Sequence, residues 1–351
     1  MKRIIRSNIG VTLFLIALAI RFLFSFSETL FVEVYFNFLF PGIRSVQSAL
    51  SFLWIIPGYW VFVILLLGWF VWRFPKSKNF KLFIKRLANL AGGTLTVFLF
   101  LWGFNYVDKG FAERSKLPES AKLIDLSSHY ISIMDTAMAY RNGIAGIENL
   151  NSIVELENLP SDSAINSWVK NVLSEWDYPT KSEISVRRIK PTGTLRRLSI
   201  AGIYNPFTGE ANVDNALPSL PLIFTTAHEI AHGYGVTSEA EANFVAFIAC
   251  MQSDDPLAQY AASYSIWRQI AHEINKTYEP EDLEILAAQI PQPLYDDRQA
   301  ILQQYYKYKG YFPKVTNALN DTYLKLQGVE AGTEDYDGFL QLYFRWVYAE
   351  N

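Results

Sequence analysis

In the stretch Ala227-His-Glu-Ile-Ala-His232, three residues have the types and spacing for hydrolytic chemistry: His228, Glu229 and His232. On an α-helix, residues four apart lie one turn above each other on one face. Both imidazoles can then reach a single metal ion while Glu229 projects beside them as a general base. The chain has only 4 histidines, and two of them falling four apart around a glutamate by chance has a probability on the order of a fraction of a per cent. The chemistry served by such a pattern is hydrolysis at Zn2+, the ion acting as Lewis acid and Glu229 moving the proton.

A catalytic zinc takes three protein ligands and keeps one position open. Gly233 and Gly235 suit a helix stop, because glycine takes the left-handed conformation that closes a C-terminus. A second helix is predicted to start almost at once: Ser238 with Glu241 three residues later has the form of a capping box. That leaves Glu239, in the first turn and facing back toward the histidines, as the favoured third ligand, with Glu241 as the alternative if the cap slips by a residue. Asn243, four residues after Glu239 on the same face, can orient a ligand histidine by accepting its second N–H.

The order HExxH, then Glu239, Ala242, Asn243 and Ala246 on the following helix, resembles the glutamate-zincin metallopeptidases, in which that glutamate is the third ligand. Only six residues separate His232 from Glu239, a shorter linker than in most such enzymes. A wider likeness rests on three hydrophobic spans, Tyr204-Asn-Pro-Phe-Thr-Gly-Glu-Ala211, the HEIAH and Glu-Ala-Asn-Phe motifs, and Asn320-Asp-Thr-Tyr-Leu-Lys325. Together these are similar to an uncharacterised bacterial family of membrane-anchored HExxH proteins. The resemblance implies an architecture and a metal site, and says nothing about a substrate.

The elements that must carry these residues begin with an apolar front. Half of the 351 residues are hydrophobic, and the excess lies in segments of about 7–26, 50–71 and 87–106, each long enough to cross a bilayer. Arg21 in the first could snorkel to the headgroups. The first segment has no small-residue cleavage site after it, only Ser-Phe-Ser-Glu28, which favours an uncleaved anchor. Trp54, Tyr59, Trp60, Trp69 and Trp72 match aromatic belts at the two ends of the second. Lys2, Arg3 and Arg6 precede the first span, and Arg73, Lys76, Lys78, Lys81, Lys85 and Arg86 fill the loop before the third; both sets belong on the cytoplasmic side. The aromatic run Phe31 to Phe40 reads as an interfacial or re-entrant stretch on the outer side. Three crossings then put the C-terminal domain outside, in the periplasm of a bacterial inner membrane.

Residues 107–351 carry 20 basic and 32 acidic residues, a formal net of −12. Such an acidic domain excludes nucleic acid as a partner, because phosphate neutralisation needs a basic face. It is expected to form one α+β unit, mostly helical with a small sheet, on the zincin pattern that the resemblance implies. Helical periodicity covers Ser120–Tyr140 and Ser163–Trp176; Ile184–Ile189, Leu195–Tyr204 and Ala211–Asn215 read as strands. Gly209 to Ala216, just before the active helix, is the candidate edge strand for pairing with a peptide substrate, with an ordinary hairpin strand as the alternative.

The remaining residues of chemical interest are read as structural. Cys250, the single cysteine, falls in an apolar run and reads as a buried inert thiol. His272 sits in an echo of the motif that has Lys276 where the second histidine would stand, so it reads as a surface or packing residue. His129 reads likewise. Tyr204, Tyr260 and Tyr264 could each offer a hydroxyl to an oxyanion, and none is singled out. The tail Tyr336–Tyr348 reads as core or membrane-facing surface.

These features lead to an expectation: a membrane-anchored zinc metallopeptidase, a 1–106 anchor followed by a 107–351 extracytoplasmic domain, whose partners are an envelope polypeptide and membrane lipid. Two other classes stay open. One is a non-catalytic envelope assembly or sensing protein with a structural or degenerate metal site. The other is an enzyme acting on non-peptide amides.

Overall fold

The computed structural model describes residues 8–53, 56–73, 79–118, 125–147, 153, 156, 158–308, 310 and 335–349. Trp54, the basic residues Lys2, Arg3, Arg6, Lys76 and Lys78, and the Asn320–Lys325 motif lie outside them. The chain divides into two compact units. The first is Met1–Lys109 with two returning segments, Pro179–Ser185 and Tyr204–Glu210; the second is Gly110–Tyr178, Val186–Ile203 and Ala211–Asn351.

In the first unit, α1 (Ile9–Phe26) is followed by a wide π-helical segment, Phe31–Leu39, which runs into α2 (Phe40–Leu50). The segment ends with Phe40 N–H reaching the Tyr35 carbonyl, just before Pro41, which has no N–H to give to the carbonyl of Asn37. The aromatic run expected at an interface is thus helical, with Phe31, Tyr35, Phe36 and Phe40 buried and Phe24 and Phe104 meeting them edge-on.

Then come α3 (Gly58–Arg73) and α4 (Phe80–Leu101). Two helices, α1 and α4, are long and apolar enough to cross a membrane. The expected 50–71 span begins later, at Gly58 after Pro57, so α3 has only 16 residues. The expected 87–106 span is shifted forward: α4 starts at Phe80, which puts Lys81, Lys85 and Arg86 in its first two turns, and a 3-10 turn at Gly103–Val107 replaces its end.

Helices α1 and α4 meet at two glycines. A Cβ on Gly92 would stand 2.7 Å from the Gly10 carbonyl oxygen, and one on Gly10 would collide with the Asn89 carbonyl. The Asn89 side chain accepts from the Gly10 and Val11 N–H groups at 3.1 and 3.4 Å, satisfying donors that the start of α1 leaves free. Away from this seam, Leu15, Phe22, Leu23, Leu95 and Val97 are exposed, as residues facing lipid would be.

The Tyr204–Ala211 motif does structural work in the first unit. Arg44 is buried, and its Nη1 donates to Gln47 Oε1, the Tyr204 hydroxyl and the Gly209 carbonyl at 2.8, 3.0 and 3.2 Å. Gln47 donates to the Pro206 carbonyl at 2.7 Å, and Glu210 accepts from Gly58 N–H and the Thr208 hydroxyl, both at 2.8 Å.

The second unit holds α5 (Leu126–Asn142), α6 (Asp162–Glu175), most of strands β1 (Ser185–Ile189) and β3 (Glu210–Asp214), the first two residues of β2 (Gly202–Asn205), then α7 (Ser219–Gly233) and α8 (Glu239–Met251). It continues with α9 (Pro256–Thr277), α10 (Pro280–Ala288), α11 (Gln292–Lys307) and α12 (Asp335–Ala349). The strand expected over Leu195–Tyr204 starts only at Gly202, because Arg196–Leu198 closes a 3-10 turn and Ser199 takes a left-handed φ of 60°. The sheet order is β1-β3-β2. β3 is therefore central, which overturns the reading of Gly209–Ala216 as the edge open to a substrate. Both of its edges are already paired.

Helix α8 is buried along its length from Phe244 to Cys250. It packs against α6, α7, α9 and α12, as a helix apolar all round must. Phe244 stacks on Trp176 with an interplanar angle of 7°, and Phe247 meets Tyr343 and Trp346 edge-on. Phe339, Tyr343 and Phe344 of the aromatic tail are thus core. On the other side, Arg141 and the Tyr260 hydroxyl share the Asp297 carboxylate at 2.7 Å each, tying α5, α9 and α11 together.

Candidate metal centre

The end of α7 is closed by a glycine turn of two nested hydrogen bonds. Val236 N–H reaches the Ala231 carbonyl at 3.3 Å and Gly235 N–H the His232 carbonyl at 3.0 Å, with Gly235 at φ 100°. No side chain with a Cβ takes that φ without strain. The turn aims the Val236 carbonyl back at the helix, where it accepts from His232 Nδ1 at 2.7 Å. Two residues later Ser238 caps α8, its hydroxyl accepting from Glu241 N–H at 3.3 Å.

Glu239 therefore opens α8 facing the histidines. Its carboxylate oxygens lie 3.2 Å from His228 Nε2 and 3.6 Å from His232 Nε2. The two Nε2 atoms are 3.0 Å apart, and the ligand atoms of His228, His232 and Glu239 all fall within 4.8 Å of one another. Glu241, the alternative, stays outside this group. Asn243 is where its spacing places it: its Oδ1 lies 2.9 Å from His228 Nδ1.

The donor set fits a divalent cation of zinc type. With each Nδ1 donating its proton to a fixed oxygen, each neutral imidazole directs its Nε2 lone pair inward, and two such lone pairs with a carboxylate repel unless a cation stands among them. Two nitrogens bound to one tetrahedral zinc at about 2.0–2.1 Å would lie about 3.3 Å apart, close to what is observed. Side-chain exposures of 11% at His228 and 19% at Glu239 leave the cluster reachable from solvent on that side.

Without a cation, a proton does the same work. Burial opposes charge on His232, but the facing Glu239, then Glu229 and the Val236 carbonyl, outweigh it and raise the imidazole to about 9. Burial likewise opposes charge on Glu239, and the two histidines hold it well below the ordinary carboxylate value.

Glu229 is 4% exposed and lies against strand β2. A Cβ on Gly202 would stand 2.6 Å from its Oε1, 2.7 Å from its Cγ and 2.9 Å from its Cδ. Gly202 and the Val236 carbonyl are the two contributors that sequence reasoning missed. A glycine at a strand end is a known mark of close backbone approach, so the first had a signal; a backbone carbonyl has none.

Other candidates are engaged elsewhere. The Tyr260 hydroxyl donates to Asp297, Tyr264 packs on Trp267, and the Tyr204 hydroxyl takes the Arg44 bond. His129 pairs with the Tyr343 hydroxyl at 2.7 Å, His272 is exposed, and Cys250 is buried.

A family model described as a protein of unknown function (DUF3810) matches residues 31–344. The chain belongs to this family. The match takes in the π-helical segment, the sheet, the His228–His232–Glu239 cluster and most of α12, and begins after α1. Membership in DUF3810 agrees with the expectation of an uncharacterised family and attributes no activity to it. Among curated proteins and among solved structures, nothing matches.

Proposed function

We propose that this chain is a membrane-anchored, zinc-dependent metallopeptidase that hydrolyses peptide bonds on the extracytoplasmic side. The observation that carries the reading is the convergence of His228 Nε2, His232 Nε2 and a Glu239 oxygen, each Nδ1 already engaged, with Glu229 one residue along the same helix. Three protein ligands rather than four among the described residues is the pattern of a catalytic zinc, since structural sites are closed.

His228, His232 and Glu239 would hold the ion. Zinc there would supply a Lewis acid that polarises a carbonyl and acidifies water. Glu229, held in a mostly buried position beside the histidines, would take a proton from the attacking water and pass it to the leaving amine. Asn243 and Val236 fix the imidazole orientation, so that no reorganisation is needed when substrate arrives.

In this reading α1, α3 and α4 are the three crossings, the basic residues Lys81, Lys85 and Arg86 mark the cytoplasmic end of α4, and the acidic stretch 107–351 lies outside. The 16 residues of α3 give about 24 Å of helix against a hydrocarbon core of about 30 Å, so α3 by itself is a short crossing.

The deciding experiment is a proteomic comparison of cells carrying the wild-type chain with cells carrying Glu229→Gln, alongside zinc analysis of both purified proteins. Both chains should hold one zinc, and cleavage products should vanish in the variant. Equal cleavage by Glu229→Gln would end the reading.

A further inference from the structure

The Glu229 contact carries an inference that rests on the hydrolase reading and deepens it. Gly202 opens β2, an edge strand of the sheet, and its φ is not one that demands glycine. The requirement is for space alone. Three atoms of the Glu229 side chain, Cγ, Cδ and Oε1, crowd the place a Cβ would take, so the side chain packs directly against the backbone of a strand.

The strand is itself held in place. The buried Asp214 carboxylate accepts from the backbone N–H groups of Gly193, Arg196 and Ala216 at 2.8, 2.9 and 2.8 Å. The Ala201 carbonyl, directly before Gly202, accepts from Asp214 N–H at 3.0 Å. The β1–β2 connection is thereby fixed on β3 up to the residue that meets Glu229.

We propose that Gly202 is a positioning residue for the general base: the bare Cα at this site sets where the Glu229 carboxylate stands relative to the metal cluster. A Cβ there conflicts with the far end of a flexible side chain and not with backbone, so a Gly202→Ala chain relieves the conflict by rotating Glu229 aside while α7, α8 and the ligand trio stay in place. Such a variant separates metal binding from proton transfer.

The test uses the full-length chain in detergent, zinc-loaded, acting on a quenched fluorescent peptide that the wild type cleaves. Gly202→Ala should keep one zinc per chain, lose kcat roughly 10- to 100-fold, and change KM by less than about twofold. In a Glu229→Ala background, adding Gly202→Ala should change neither the residual kcat nor the visible bands of the cobalt(II)-loaded protein. In the Glu229 background, the same substitution should move those bands toward those of Glu229→Ala.

Full activity of a zinc-loaded Gly202→Ala chain would overturn the inference, as would an equal loss in both backgrounds. A wild-type chain that binds no zinc would overturn the hydrolase reading itself, and the positioning role with it.

Discussion

His228 Nε2 and His232 Nε2 stand 3.0 Å apart while their Nδ1 atoms are taken by Asn243 Oδ1 and the Val236 carbonyl. The pair is therefore oriented from behind by one side chain and one backbone group, and the carboxylate of Glu239 closes the third side. Such preorganisation has measurable consequences.

The ligand set is tested by removal. His228→Ala, His232→Ala and Glu239→Ala should each abolish stoichiometric zinc in the purified chain, read by inductively coupled plasma mass spectrometry, because each leaves two protein ligands where three are needed. Glu241→Ala should retain one zinc per chain. A reversal between the two glutamates would show that the cap of α8 is shifted along the sequence.

Asn243→Ala should keep the three ligands and weaken zinc roughly 10- to 100-fold, the usual effect of losing an orienting partner. Competition with a fluorescent chelator measures it. Affinity equal to wild type would mean that the 2.9 Å contact to His228 does not orient the ring.

In the metal-free chain the pH dependence follows from the His232–Glu239 pair. His232 is raised above its ordinary 6.5 to about 9, so its contribution is fully present below pH 6.5 and is lost as pH rises through 9. Glu239 is lowered from 4.5, so its contribution is present above pH 4.5 and is lost on acidification. EDTA-treated protein should then melt highest between about pH 4.5 and 6.5 as far as this pair decides it. The gain in Tm from added zinc should grow from pH 6.5 to 9, as the ion no longer has to displace a proton. Melting curves at pH 5.5, 7.5 and 9, with and without zinc, check the sign; a zinc gain largest at pH 5.5 would contradict it.

Cys250 supplies a test of the core. Burial, with Asp255 adding to it, pushes the thiol up to about 12, which leaves a thiolate fraction at pH 8 of about 1 in 10,000. The native chain should resist Ellman's reagent at pH 8 and react within minutes in guanidinium. Rapid labelling of the native protein would show that α8 is not the buried helix described above.

What could be read directly from residues was local. The HExxH spacing, the glycine stop, the Ser238 cap, Glu239 and Asn243 all lie within one helical hairpin, where 3.6-residue periodicity and capping chemistry act over a few positions. Pairing is a different matter. β3 borders Ser219 and the start of α7 in sequence, and that adjacency suggested an exposed edge; its central place depends on partners 10 and 25 or so positions away, a non-local choice that no pattern in Glu210–Asp214 states. The helix starts in the first unit were misplaced for a local reason: hydropathy sees apolar runs, whereas Pro57 and the cap at Asn79 set where helices begin. The Gly202 contact lay hidden because it joins a strand to a helix residue 27 positions later.

The glycine turn at Gly235 confines the His228–His232–Glu239 cluster and the two groups that orient its imidazoles, Val236 and Asn243, to a stretch running from His228 to Asn243. Loop closure over so short a stretch loses little chain entropy, so the trio can assemble as soon as two adjacent helices meet, ahead of the sheet and the C-terminal helix. An ion captured at that stage would hold the hairpin closed while the rest of the chain condenses around it, and damage to remote parts of the fold would leave the capture step untouched.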